Sequence, residues 1–305
     1  MSGAGTPFEA PASNPARAPV TPLDEAAIYA RFPPRAHDSL PGFMRDFLGT
    51  RTRVAFLRGY ERFDGATHGR PARGHEFLHE HDEWLGTLQS VIDAAPSGEL
   101  TVLELGAGWA PWLVVAHAAA RVIGGFRTVR LLGVEASADH HAMSLQHFAD
   151  NGLDPAEHDL LLGAVAAADG TLRFPRLPDP AGEWGATPLD DAAAGITDRR
   201  GVAFDAFDEV PAYGLAGLVE RFARVDLVHC DIQGGEDEAI PAAMAALGRR
   251  VRRMVVATHG TDIEHRLGHV FAGAGWRCEA WETCRSDNDG TLLRDGTQVW
   301  RNPTV

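Results

Sequence analysis

Two apolar runs in this sequence stop at residues that can move a proton or hold a cation. "VDLVHCD" ends at Asp231, and "RRMVVATHG" reaches His259. An aspartate and a histidine at adjacent strand tips offer two chemistries. The carboxylate can orient an imidazole base, or both can share a divalent ion that binds a substrate oxygen. A metal would need further ligands, for which Asp262, Asp287 and Asp289 have suitable side chains but no spacing that gathers them. Glu236, Asp237 and Glu238 follow Gly234 and Gly235 and read as the acidic first turn of a helix, where their charge suits its dipole.

A second constellation is "VLELGAGWAPW", a strand with Glu104 near its end, a Gly106-x-Gly108 turn and a helix whose first turn tolerates Pro111. Proline at position 111 breaks the Gly-x-Gly-x-x-Gly pattern that cradles a pyrophosphate. "LLGVEAS" then ends a second strand in Glu135, placed to accept both hydroxyls of a ribose. A ribose acid without a pyrophosphate cradle favours an adenosyl group over a dinucleotide. A third pattern, "HEFLH", sets His75 and His79 around Glu76 as zinc ligands and base would be on a helix. Asp82 and Leu85 stand where a longer zinc signature would have glycine and histidine.

These residues need a frame. Seven short β-rich runs from Leu100 onward ("LTVLEL", "VRLLGVE", "HDLLLGAV", "VDLVHCD", "RRMVVATHG", "GWRCEAWE", "TQVWRN") alternate with helical segments, the signature of a parallel α/β sheet. The last two runs are joined too closely for a crossover helix and must pair antiparallel, so the sheet is mixed. The doubly wound arrangement puts a ligand beyond the carboxyl ends of the strands. The stretch at 167–201 is too long for a plain connection and should carry a small hairpin and a covering loop, with Trp184 over the acceptor pocket. Apolar residues three and four apart over 37–97 predict a helical cap, from which His75, Phe77 and His79 would touch an acceptor. Seven prolines within residues 1–36 predict a flexible tail rather than a helix or strand.

The chain of 305 residues is long enough for a full core, and 42 acidic against 28 basic residues give a net charge of −14. That balance, with no basic block interleaved with aromatics, argues against nucleic acid and for a small-molecule partner. No run approaches the ~20 apolar residues of a membrane span. Cys230, Cys278 and Cys284 lack zinc-type pairing and fit a reducing, cytoplasmic compartment. Oligomeric state has no signature.

In order, "VLELGAG", "GVEAS", "LLGAVAAADGTLRF", "VDLVHCDIQGGEDEAI" and "VVATHGTDIEHRLGHVFAGAGW" resemble the class I S-adenosylmethionine-dependent methyltransferases, and within them the FkbM family. The resemblance covers about 98–302 and implies a Rossmann-like, seven-stranded catalytic domain over 98–305. It implies that Glu104, Gly106 and Gly108 meet the amino-acid end of S-adenosylmethionine, that Glu135 with Ala136 binds its ribose, and that Ala164 and Val165 flank its adenine. Gln233 stands where the family pattern has glutamate, beside the acceptor. The resemblance further implies an O-methyltransferase acting on a natural-product or sugar hydroxyl, with Asp231 and His259 as the acid-base or metal-assisted pair. The alternatives are a zinc metalloprotease through His75-Glu76-x-x-His79 and a non-catalytic binding protein of the same fold.

Overall fold

The computed structural model describes residues 18–71, 81–189, 196–286 and 292–305. Its first part runs through α1 (Glu25–Ala30), β1 (Phe43–Arg45), β2 (Arg51–Arg53), two short 3-10 turns and α2 (His81–Ala94). Then follow β3 (Glu99–Leu105), α3 (Pro111–Ile123), β4 (Thr128–Glu135), α4 (Ala138–Asp150) and β5 (Asp159–Leu162). A side layer contains β6 (Ala164–Ala166), β7 (Gly170–Pro175) and β8 (Phe207–Gly214). The chain closes with α5 (Leu215–Glu220), β9 (Leu227–Cys230), α6 (Glu236–Arg250), β10 (Arg253–Thr258), α7 (Thr261–Gly273), β11 (Arg277–Glu282), β12 (Arg285–Ser286), β13 (Leu292–Arg294) and β14 (Gly296–Arg301).

Seven strands form one sheet in the order β11-β14-β10-β9-β3-β4-β5. β14 is antiparallel to β10 and β11, and the other neighbours are parallel. The sheet winds outward in both directions from β3, so the β3/β9 boundary is a topological switch point, where this fold class forms its ligand crevice. This is a doubly wound, Rossmann-like α/β fold, mixed as the sequence predicts. Both faces are covered, which explains why β3 and β10 are buried almost throughout. Trp84, Leu88 and Val91 of α2 pack with α3 and Phe148 of α4 on one face, against Val255 and Val299. Leu247, Phe271 and Trp300 fill the other face under α5, α6 and α7.

The N-terminal third departs from its sequence pattern. Residues 18–36 are not a free tail: Asp24 caps α1, Phe32 is fully buried and Tyr29 meets Phe47 edge-on at 5.9 Å. Prolines 33 and 34 follow the helix and so do not interrupt it. Nor do the described residues of the predicted cap over 37–97 form one helical unit. β1 and β2 make a hairpin whose turn is set by Gly49 at φ 91° and by Asp46, which accepts from the backbone N–H groups of Leu48, Gly49 and Thr50. The local carboxylate turn overrides a helix-like apolar spacing. α2 is helical, but it lies on the sheet: a Cβ at Gly86 would come within 2.6 Å of Val255. Gly163 splits "HDLLLGAV" into β5 and β6, and the expected small hairpin is a three-stranded sheet in the order β6-β8-β7. Among the described residues no helix is long and apolar enough to cross a membrane.

Candidate cofactor and acceptor cavity

A cavity of about 700 Å³ opens at the carboxyl ends of β3, β4 and β9. Glu104, Gly106, Gly108, Glu135, Ala136, Ala164, Val165, Trp184, Asp231 and Gln233 all line it. His259 stands behind Asp231 instead. His75, Phe77, His79, Asp287 and Asp289 lie outside the described residues, and with them the His-Glu-x-x-His pattern.

The β3 and β4 tips are knit together by the Gly-x-Gly turn. Gly106 has φ 71°, and a Cβ there would fall 1.7 Å from the Asp231 carbonyl oxygen, so only glycine fits. The Gly108 N–H donates to Glu135 Oε2 at 2.8 Å, and the Ser137 N–H donates to Oε1 at 2.7 Å. Glu104 accepts from the first free N–H groups of α3, those of Trp112 and Leu113, at 3.2 and 2.9 Å. Burial pushes the Glu104 carboxyl up to about 8, although His229 and these N–H groups oppose the shift. Burial likewise raises Glu135 against the pull of His140 and its backbone donors. Trp184 lies flat on His140 at 3.9 Å, meets Trp109 edge-on and stands over Gly108. It therefore stands over the Gly-x-Gly turn, where the long loop meets the cavity.

At the β9 tip, Asp231 and His259 are brought together, with Nε2 3.2 Å from Asp231 Oδ1. The other imidazole nitrogen, Nδ1, lies 3.2 Å from Glu236 Oε1. These contacts pair charges without the alignment of hydrogen bonds. Burial alone would lower the His259 pKa, but Glu236 and then Asp231 outweigh it and hold the ring protonated well above the usual histidine range. Asp231, whose burial alone would raise it, is held below the usual carboxylate range chiefly by His259. Gln233, at φ 54°, turns back to donate its Nε2 to Asp231 Oδ1 at 2.7 Å.

Glu236 does more than serve the helix dipole. It is fully buried, and its two oxygens accept from the Ile232 and Gly234 N–H groups at 2.8 and 2.9 Å, tying down the glycine turn. The available signal was its place one residue after the Gly-Gly pair, at the start of α6.

Sequence reasoning also missed His229 and Glu83. His229 lies two residues before Asp231 on the same strand face and pairs in register with Glu104 on β3. Its Nε2 is 2.9 Å from Glu83 Oε1, and its ring stacks on Trp112 at 5.1 Å. Its Nδ1 is buried with no partner. Burial alone would lower the His229 pKa, but Glu83 and Glu104 raise it overall.

No family model matches the chain. It is 29% identical over 269 residues, 87% of its length and 94% of the relative's, to a protein of Jannaschia sp. (strain CCS1) named "Putative methyltransferase". Among solved structures, the methyltransferase FkbM from Methylobacillus flagellatus KT aligns at a TM-score of 0.40 and 10% identity, over 75% of this chain and 56% of that one. An O-methyltransferase from Bacillus cereus in complex with SAH aligns at 0.38 and 12% identity, over 76% and 84%. The similarity to the Jannaschia protein thus runs over nearly the whole chain.

Proposed function

We propose that the chain is an S-adenosylmethionine-dependent O-methyltransferase acting on a hydroxyl of a small molecule such as a natural product or sugar. The observation that carries this reading is a single cavity of about 700 Å³ that joins the Glu104/Gly-x-Gly/Glu135 tips to Asp231. That volume suits a cofactor and a modest acceptor side by side. The site fits the cofactor on two counts: side chains are excluded where Gly106 passes Asp231, and an unsatisfied buried imidazole nitrogen lies in the wall. Glu135 with Ala136 would hold the ribose, and Ala164 and Val165 would flank the adenine.

When bound, S-adenosylmethionine supplies a methyl group on a positively charged sulfur. The residues then have to align the acceptor oxygen and take its proton. Asp231 is the cavity-facing member of its pair, 34% exposed against 8% for His259. An acceptor hydroxyl taking the methyl group that the cofactor would supply would become strongly acidic at its oxygen. Asp231 can receive that proton even with its lowered pKa and pass it to water. His259, protonated and set between two carboxylates, positions Asp231 and is not itself the base.

A divalent ion fits this end less well. Asp231, Glu236 and His259 bring ligand atoms within 4.8 Å of one another. Yet each ring nitrogen already faces a carboxylate, and each Glu236 oxygen already holds an N–H. No step is assigned to a metal.

The test is calorimetry with S-adenosylmethionine and S-adenosylhomocysteine, followed by methyl transfer to a panel of hydroxyl compounds. Asp231→Asn should lower turnover by about a hundredfold or more while leaving S-adenosylhomocysteine affinity within about threefold. Failure of the wild-type protein to bind either nucleoside would overturn the reading.

A further inference from the structure

Asp231 and Gln233 leave two hydrogen-bond acceptors open at the acceptor end of the cavity, which both residues line. Asp231 Oδ1 takes the inner contacts, the Gln233 Nε2 donor at 2.7 Å and His259 Nε2 at 3.2 Å. Among the described residues Asp231 Oδ2 has no donor, and it is not sealed off, since the side chain is 34% exposed. Gln233 turns an N–H to Asp231 and keeps its carbonyl oxygen, Oε1, half-buried, accessible and likewise without a donor among the described residues.

The backbone holds that amide in place. Gln233 stands at φ 54°, in the left-handed region where residues other than glycine are uncommon, and Gly234 follows at φ 95°. Such a conformation is unfavourable by itself and persists where its surroundings hold it. Here the hydrogen bond to Asp231 holds one side, and Glu236 ties down the Ile232 and Gly234 N–H groups on the other. The covering loop leaves the same oxygen room. Gly185, also in the cavity wall, passes it with no side chain: a Cβ there would stand 3.4 Å from Gln233 Oε1 and 2.7 Å from Arg200 Nη1.

We propose that Gln233 is the specificity-determining residue for the acceptor, and that the acceptor is a vicinal diol. One hydroxyl donates to Asp231 Oδ2 and is the one methylated, while its neighbour donates to Gln233 Oε1. The proposal rests on the O-methyltransferase reading above and narrows its acceptor. Two acceptor atoms joined by a single amide hydrogen bond match two donors on adjacent carbons. An amide oxygen carries no net charge, so it suits a hydroxyl rather than an ammonium. A site built around a donor on the ligand rejects the analogue that lacks it, because the desolvated oxygen is then left unmatched.

The test is methyl transfer by the full chain, at saturating S-adenosylmethionine, to matched pairs of acceptors. These are catechol against phenol, a cyclohexane diol with adjacent hydroxyls against cyclohexanol, and a flavonoid with a catechol ring against its monohydroxy counterpart. The wild type should favour the adjacent diol by about a hundredfold or more in kcat/KM in at least one pair. Gln233→Lys keeps an N–H for Asp231 and removes the acceptor oxygen. It should cut that preference by about tenfold or more and leave the single-hydroxyl compound within about threefold. Gln233→Glu keeps an oxygen and removes the N–H. It should slow both members alike, preserve the preference and move the acid limb of the pH–rate profile upward, because a second carboxylate beside Asp231 disfavours its charged form. Thermal melting gives the folded fraction of each variant. Equal wild-type rates on both members of every pair would overturn the vicinal-diol proposal and leave the O-methyltransferase reading standing. Equal slowing of both members by Gln233→Lys would also overturn it, because that pattern belongs to support of Asp231 alone. So would transfer to none of the compounds by a protein that binds S-adenosylmethionine. Failure to bind S-adenosylmethionine at all removes the reading on which the inference rests.

Discussion

His259 and His229 belong to neighbouring strands, both are buried, and both have a glutamate within about hydrogen-bonding distance, yet they are left in opposite states. His259 has a carboxylate opposite each ring nitrogen, Asp231 on one side and Glu236 on the other, and therefore has nothing to offer a ligand. His229 has Glu83 at one nitrogen, while the other is buried with no hydrogen-bond partner. The difference separates two uses of the same side chain. Held by carboxylates on both sides, an imidazolium becomes part of the frame and fixes the charge of its neighbours; held on one side, it is tied to that partner alone.

The largest expected effect breaks the enclosed site. Glu236→Ala removes a carboxylate that carries His259 and two backbone N–H groups, and should destabilise the protein by about 3–5 kcal/mol. Urea denaturation measures it, and a loss below about 1 kcal/mol would mean that the buried charges are not coupled as described.

Next comes a pH effect on the open side. Glu104 stands at about 8 in the fold against an ordinary 4.5. A raised folded value contributes stability that is full below the unfolded value and lost as pH rises through the folded one. The stability of the ligand-free protein should therefore fall between about pH 5 and 8 by on the order of a few kcal/mol, its thermal midpoint falling with it, and Glu104→Gln should flatten the fall. A midpoint that climbs through that window in the wild type, unchanged in the variant, is the contrary result.

Smaller still is the contrast between the histidines themselves. His259→Gln strands two carboxylates and His229→Gln only one, so the first should lower the thermal midpoint about twice as far as the second. Indistinguishable midpoints would erase the distinction. The smallest expected effect is none: chelation with EDTA should leave the midpoint and methyl transfer within about 1 °C and twofold of their starting values, whereas loss of either would restore Asp231, Glu236 and His259 as a metal centre.

Much of the frame was legible in the sequence because its signals are local. A β-rich run, an acid and a Gly-x-Gly turn sit within a dozen residues, and the strand that ends at Glu135 can be read by itself. The close spacing of the last two strands likewise requires the antiparallel pair that β11 and β14 form. The N-terminal third was misread for the converse reason. Its apolar spacing suits a helix, but Asp46 and Gly49 turn the backbone before one can form, and α1 is held by burial of Phe32 and Tyr29.

The sequence by itself determined the seven runs that build the main sheet, which tips carry Glu104, Glu135, Asp231 and His259, and that these tips share one end of a doubly wound sheet. Only the tertiary structure decided what each group is free to do. Glu83 and His229 are 146 residues apart in the chain, and no periodicity links a buried acid on α2 to a strand on the far side of β3. The protonation of an imidazole depends on such distant neighbours, because charge in a dry interior is set by whatever lies within a few ångströms.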